Sequence, residues 1–315
     1  MRIIGTGSAL PKKIVTNEDL SEFLDTSDEW ITTRTGIKSR HVITDECIED
    51  LGAEAVNKAL EMSGLKASDI DLFIVSNVIK EQDTPGMSCL VAARTGLTCP
   101  MFDINCACPG FVYALDIAET YYKAGKVKNV VIACVEEPTR MASWEDRSTC
   151  ILFGDGAGAV VLTEGDNIKG IRLHAEPDPD KIWMRRKMFS CPYEAKPVAD
   201  VPMQMKGREV FRFAVQACTH GVKDLLDEIG IRKEDVTWFM VHQANKRIID
   251  SIIDFMRVPA DRFPVNIHDH GNSSSASCPI LLDECNRKGM FKPGDIMVFS
   301  AFGAGLLSGA AVLEW

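Results

Sequence analysis

A chain of 315 residues with 46% hydrophobic and 25% charged residues has the balance of a folded protein with a substantial core, which excludes intrinsic disorder for its bulk. The net charge of −10, from 35 basic and 45 acidic residues, speaks against a general nucleic-acid binder. No apolar run approaches the roughly 18 residues of a membrane span, and the start MRIIGTGSALP does not read as a secretory signal. A cytoplasmic protein is expected, with its 11 cysteines as reduced thiols and not a disulfide framework.

In chain order, hydrophobic period and turn residues place strands at Arg2–Thr6, Asp71–Ser76, Asn129–Val135, Ala159–Thr163, Thr237–Val241, Asp295–Ser300 and Gly309–Glu314. Helices are expected over Glu46–Ser63, Met87–Thr95, Pro109–Ala124, Glu209–Ile229, Gln243–Phe255 and Ser274–Lys288. Gly64, Gly96, Gly125, Gly230 and Gly289 follow helices at places suited to a left-handed C-terminal cap. Alternating strands and helices argue for an α/β protein. The polar, proline-containing stretch at 176–205 is read as a loop or an insertion.

The segment ALEMSGLKASDIDLFIVS returns later as LLDEIGIRKEDVTWFMVH: helix, glycine stop, acidic turn, strand. An offset of 166 (230 − 64 and 235 − 69) joins Gly64 to Gly230 and Asp69 to Asp235, and carries Ser76 to His242. Further on, an offset of 164 (289 − 125) joins Gly125 to Gly289, and it carries Cys108 to Asn272. The inference is two similar halves, 1–165 and 166–315, duplicated and then specialised.

The duplication selects three residues. Cys108 opens CPGFVYALDIAET, and Pro109 suits a first helical position, so Cys108 is expected at the N-cap, where the helix dipole would lower its pKa. Taken singly, Cys108 also reads as a buried thiol, His242 as a histidine satisfied at a strand end, and Asn272 as an ordinary cap in HGNSSS. Their matched places in the two halves favour a converging constellation. The glycine-rich FGDGAGA at Phe153–Ala159 lacks the Lys-Ser/Thr of a phosphate loop and reads as a tight turn with close backbone approach. FGAG at Phe302–Gly305 follows a strand and offers backbone N–H groups of the oxyanion-hole kind. His268 and His270 flank Asp269, where a polar loop is favoured over a metal site.

Motifs spread over nearly the whole length then carry a resemblance to the β-ketoacyl-acyl-carrier-protein synthase III family of thiolase-like condensing enzymes: IGTGSALP, TSDEWITTRTGIKSRH, DINCACPGFVYAL, ILFGDGAGAVVL, VHQANKRII, HGNSSSAS and AFGAG. The resemblance implies a five-layered αβαβα thiolase-like sandwich of two duplicated halves, usually a homodimer. It makes Cys108 the nucleophile that takes an acyl group from acyl-CoA, with His242 and Asn272 stabilising the enolate formed when malonyl-acyl-carrier protein loses carbon dioxide. The oxyanion would sit on the backbone N–H groups of Cys108 and the 303–305 turn, around Ala304. Trp30, Arg34 and Arg147 match positions near the CoA adenine and phosphates, and Gly207 and Asn245 match the pantetheine tunnel. Among the basic residues Arg212, Lys246, Arg247 and Arg257 of the second half, Arg212 and Arg247 match basic family positions for docking an acidic carrier protein. No metal and no cofactor are implied; acyl-CoA and the carrier protein are substrates.

Three departures stand out: Pro109 after the nucleophile, Ala304 in the terminal turn, and Thr84 where acetyl-preferring members bring a phenylalanine into the partner's acyl pocket. A relative of specialised metabolism using a longer acyl group is therefore the nearest alternative. A thiol hydrolase or simple acyltransferase using Cys108 and His242 is opposed by Asn272, which acyl transfer alone does not need. A cysteine-rich metal scaffold is opposed by the lack of CxxC pairs.

Overall fold

The runs LFIVS and VVIACVE are apolar without alternation, as strands covered on both faces must be. In the computed structural model, which describes residues 1–187, 193 and 198–315, both are buried over their whole length. The first half runs β1 (Arg2–Ala9), β2 (Lys13–Thr16), α1 (Asn17–Ser21), α2 (Asp28–Thr35), β3 (Ser39–Val42), α3 (Ile48–Ser63), β4 (Leu72–Ser76), α4 (Met87–Thr95), β5 (Met101–Ile104), α5 (Gly110–Lys123), β6 (Val130–Glu136) and β7 (Gly156–Thr163). The second runs β8 (Ile168–Ala175), β9 (Ile182–Arg185), β10 (Val201–Met205), α6 (Gly207–Ile229), β11 (Trp238–Val241), α7 (Lys246–Met256), α8 (Ile267–His270), α9 (Ser277–Arg287), β12 (Ile296–Gly303) and β13 (Leu307–Glu314).

Two large sheets result, a five-stranded one in the order β1-β7-β6-β4-β5 and a four-stranded one in the order β11-β12-β13-β8, beside the two-stranded pairs β2–β3 and β9–β10. The inner pairs β4–β6 and β11–β12 are parallel, and β6–β7, β7–β1, β12–β13 and β13–β8 are antiparallel, so the second sheet repeats the first without a counterpart of β5. Side-chain alternation builds the layers. Leu72 and Ile74 face a cluster with Phe111, Leu115, Leu281 and Leu282 of α5 and α9, which also holds Met297 and Phe299 of the other sheet. Phe73 and Val75 face α3 and α4 instead, while Phe239, Val298 and Val312 face α6 and α7. The fold is thus the five-layered αβαβα thiolase sandwich of two duplicated halves, with α5 and α9 as its shared central layer. Phe111 and Phe299 meet there edge-on, with ring centroids 5.4 Å apart. Burying each such ring contributes roughly 1.5–3 kcal/mol.

The repeat is visible in the local structure. A turn of 3-10 helix lies at Ala67–Asp69 before β4 and another at Lys233–Asp235 before β11, both after a glycine with φ near 70°. The helix α5 corresponds to a 3-10 turn at Ser274–Ala276 continued by α9. All five glycines expected as left-handed caps have positive φ, between 67° and 75°. The stretch at 176–205 holds the antiparallel pair β9–β10, where only a loop or insertion was expected; residues 188–192 and 194–197 lie outside the described residues. The expected helix from Gln243 starts at Lys246, because the Asn245 side chain accepts the Arg247 N–H at 2.9 Å and caps it. No helix among the described residues is long and apolar enough to cross a membrane.

FGDGAGA is not the tight turn expected, since Gly156–Ala159 open β7, but it does make the close backbone approach. A Cβ on Gly154 would lie 2.1 Å from the His270 carbonyl oxygen, and the Gly154 N–H donates to the Asn272 carbonyl at 3.2 Å. Gly154→Ala is therefore expected to lower stability by about 1–3 kcal/mol through overpacking, read as an earlier midpoint in denaturant unfolding with an unchanged slope.

Candidate active site

Three element ends converge on one cavity of about 350 Å³ that takes in Cys108, His242 and Asn272. Cys108 lies in the short connection from β5 to α5, after Ala107, whose φ of 51° is a strained value for a residue with a side chain. The end of β12 approaches so closely that a Cβ on Gly303 would sit 2.8 Å from the Cys108 nitrogen. Glycine there brings the Cys108 backbone beside the turn at Ala304, which also borders the cavity.

One expectation is corrected here. Cys108 is not the N-cap: α5 begins at Gly110 with Pro109 as its cap, since the Pro109 carbonyl accepts the N–H groups of Val112 at 2.9 Å and Tyr113 at 3.2 Å. Nor is the thiol acidified. Burial of the sulfur outweighs the nearby helix end and pushes its pKa up to about 12.

His242 follows β11, and its backbone N–H donates to the Ser300 carbonyl of β12 at 2.9 Å. The ring is buried edge-on against Phe302, and burial pushes its pKa down to about 3, so it is neutral. Its Nδ1 lies 2.7 Å from Ser277 Oγ, which accepts the Gln243 N–H at 3.3 Å. A serine hydroxyl that accepts this N–H can still donate to Nδ1, and in the tautomer where it does the ring proton is on Nε2. That atom is buried with no hydrogen-bond partner among the described residues. Asn272 is held by its N–H to the Leu152 carbonyl at 2.8 Å, and its Oδ1 accepts the Ser274 N–H at 2.9 Å. That bond orients the amide and leaves Nδ2 as its donor. The trio thus shares one cavity with apolar side chains such as Met141, Phe153, Met203 and Val210, and in that tautomer it offers a sulfur and two neutral N–H donors.

The other expected residues sort clearly. Trp30, Arg34, Gly207 and Asn245 line the same cavity. Arg147 does not, but its guanidinium stands 5.0 Å from the Trp30 ring, which Arg34 also covers at 4.3 Å. Asn245 Nδ2 donates to the Arg34 carbonyl at 3.1 Å, tying α7 to α2. Thr84 is exposed and outside the cavity of this chain. Arg212 and Arg247 are exposed on α6 and α7; Arg212 and Arg257 share a groove with Arg208 and Lys233, which Arg247 does not line. Lys246 is taken up by Asp250. Arg208 and Lys233 were missed because they are distant in sequence and share a groove only once the turn at Lys233–Asp235 folds beside α6 and the end of α7. His270 pairs with Glu284 at 2.5 Å and His268 with Asp269 at 3.0 Å. No three His, Cys, Asp or Glu side chains are placed to hold a metal among the described residues. The ten described cysteines form no disulfide.

Known proteins resemble this chain over its whole length. Residues 102–177 match the family model for 3-oxoacyl-(acyl-carrier-protein) synthase III, and residues 226–315 match the model for its C-terminal part. The β-ketoacyl-(acyl-carrier-protein) synthase III of Clostridium acetobutylicum is 40% identical, over 100% of this chain and 98% of the relative. The crystal structure of 3-oxoacyl-(acyl-carrier-protein) synthase III from Aquifex aeolicus superposes with a TM-score of 0.92 at 40% identity, covering 100% of this chain and 99% of that one. The priming β-ketosynthase of a polyketide biosynthetic pathway superposes with a TM-score of 0.92 at 34% identity, covering 99% of this chain and 95% of the other.

Proposed function

The chain belongs to the 3-oxoacyl-(acyl-carrier-protein) synthase III family, and from that premise we propose which residues carry its reaction and which acyl group it takes. It is a condensing acyltransferase of fatty-acid initiation: an acyl group from acyl-CoA is joined to malonyl-acyl-carrier protein with loss of carbon dioxide. Cys108 attacks the thioester carbonyl, its sulfur–carbon bond forms as the bond to the CoA sulfur breaks, and CoA leaves as the thiol. Malonyl-carrier protein then loses carbon dioxide, and the electron pair left on its α-carbon is delocalised onto the thioester oxygen. The Nε2–H of His242 and the Nδ2–H of Asn272 donate to that oxygen, and the carbanion attacks the acyl carbon on Cys108. The Cys108 N–H and the backbone at Ala304 receive the tetrahedral oxyanion. The observation that carries this assignment is that Cys108, His242 and Asn272 line a single cavity, with His242 Nδ1 held by Ser277 and Asn272 Oδ1 by Ser274.

Trp30, with two guanidinium groups beside its ring, suits an adenine with phosphates alongside, and Gly207 and Asn245 border the path inward. The groove holding Arg208, Arg212 and Arg257, with Arg247 nearby on α7, gives an acidic carrier protein a basic seat on a chain of net charge −10. A homodimer belongs to the same reading, supported by the edge strand β5 with its half-buried Phe102 and Ile104. A cytoplasmic location fits a reaction that needs Cys108 reduced.

A second reading, priming of a specialised pathway with a longer acyl group, is favoured by Thr84 and by the likeness to the polyketide priming enzyme. A small hydroxyl side chain in place of a ring frees room for several methylenes, each worth about 0.8 kcal/mol when buried. Medium-chain or branched acyl-CoA is therefore expected to outcompete acetyl-CoA for Cys108 by about 10- to 100-fold, and Thr84→Phe to move preference back toward acetyl. Competition between acetyl- and octanoyl-CoA, read by intact mass, checks it; predominant acetylation of the unaltered enzyme would refute it.

A further inference from the structure

The thiol of Cys108 has to lose a proton before its sulfur can attack, and the reading above keeps His242 as a neutral donor toward the enolate, with Nδ1 engaged by Ser277. Another group lies within reach. Glu136, the last residue of β6, is fully buried. Its Oε2 accepts the Val78 N–H at 3.1 Å, and its Oε1 accepts the Ser275 hydroxyl at 2.5 Å. Ser275 in turn lies 2.9 Å from the Ser76 hydroxyl, an approach that requires glycine at 110, where a Cβ would fall 2.0 Å from that oxygen. Ser274 bridges the remaining distance: its Oγ is 3.4 Å from Glu136 Oε1 and 3.7 Å from Cys108 Sγ. Its backbone has φ of 53°, a strained value held in the turn that also orients Asn272.

We propose that Ser274 and Glu136 form a proton relay for Cys108, in which the thiol proton passes to Ser274 Oγ as the Ser274 hydroxyl proton passes to the Glu136 carboxylate. The relay deepens the acyl-transfer reading above and rests on it for its role in turnover. As the Cys108 sulfur–carbon bond forms and the bond to the CoA sulfur breaks, the same proton returns from Glu136 through Ser274 to the departing thiolate. Charge is conserved and no other reactant is needed. The surroundings leave Glu136 free for this. Cys108 and Cys134, the thiols beside it, are held neutral by burial, and Glu137 is paired with Arg140 at 2.5 Å. Among the described residues no cation pairs with Glu136. Burial then pushes its carboxyl up to about 7, suited to taking and returning a proton near neutral pH.

The test is the pH dependence of two reactions at Cys108, acylation by acyl-CoA and alkylation by iodoacetamide, each localised by peptide mass. Ser274→Gly removes the hydroxyl at a backbone angle glycine prefers, and Glu136→Gln keeps size and acceptors but not the base. In the unaltered enzyme both rates are expected to rise with pH and level off above about 7. In either variant the plateau disappears, the rate at neutral pH falls about 100-fold, and it keeps climbing toward the thiol's own high pKa. Malonyl decarboxylation by Glu136→Gln acylated beforehand is expected to stay within about threefold, which a general structural defect would not allow. The same alkylation profile in all three proteins overturns the relay. Expected alkylation profiles without any acylation of the unaltered enzyme would leave the relay standing and refute the acyl-transfer reading instead.

Discussion

Incubated with a suitable acyl-CoA, the protein is expected to gain one acyl mass, located at Cys108, and Cys108→Ala is expected to lose it by more than about 1000-fold. The size of the effect follows from covalent chemistry, because no neighbouring side chain can take over the bond. Cys106 is the nearest alternative in sequence, yet it does not line the cavity and burial raises its pKa as well. The other described cysteines include Cys134, Cys218 and Cys278, which are buried in the core. An adduct that survives Cys108→Ala, or one mapped to Cys106, would show that the nucleophile is misassigned. Peptide mapping after rapid quenching distinguishes these outcomes.

The next largest effect separates the two half-reactions. His242→Ala and Asn272→Ala are each expected to slow malonyl decarboxylation about 100- to 1000-fold, the range for removing one donor from a developing oxyanion. Acylation of Cys108 should fall by less than about tenfold in the same variants, since the two donors act on the enolate and not on the first thioester. Because burial pushes His242 down to about 3, its ring stays neutral as pH falls from 8 to about 5. Its contribution to decarboxylation should accordingly show no pH limb in that interval. Carbon dioxide release from malonyl-carrier protein, measured beside acyl-enzyme formation, provides both readings. Equal loss of the two half-reactions would point to a Cys–His acyltransferase.

The fold was legible because its deepest strands announce themselves. LFIVS and VVIACVE are nearly unbroken apolar runs, and glycines after α3, α4, α5, α6 and α9 mark their ends. The duplication was legible because both halves keep the same helix, glycine, 3-10 turn and strand. The elements that escaped notice are short or lie at edges. MFDI has four half-buried residues after Pro100, and IKGIRLHA, the outer strand of the second sheet, is mostly solvent-facing. Neither carries enough burial to impose a period on its sequence.

The site divides along the same line. Cys108, His242 and Asn272 stood out because each ends or precedes an element and the repeat brings their positions into register. The protonation states did not, because they depend on depth and partners: the N-terminal end of α5 argues for a thiolate, and burial reverses it. Glu136 was hidden at the end of an apolar strand and Ser274 within a run of serines, so only their distances to Cys108 connect them. Arg208 and Lys233 likewise became part of a basic groove only through the packing of α6, the Lys233–Asp235 turn and α7.

The measurement that bears most directly on the reaction is a single turnover of enzyme acylated at Cys108 with malonyl-acyl-carrier protein, following protein mass, carrier mass and carbon dioxide together. The acyl mass should leave Cys108 as one carbon dioxide is released per enzyme, and the carrier should end with the malonyl group shortened by that carbon dioxide and extended by the acyl group. Release of the acyl group to water, or its transfer to the carrier without carbon dioxide, would contradict the assignment of Cys108, His242 and Asn272 as a condensing site.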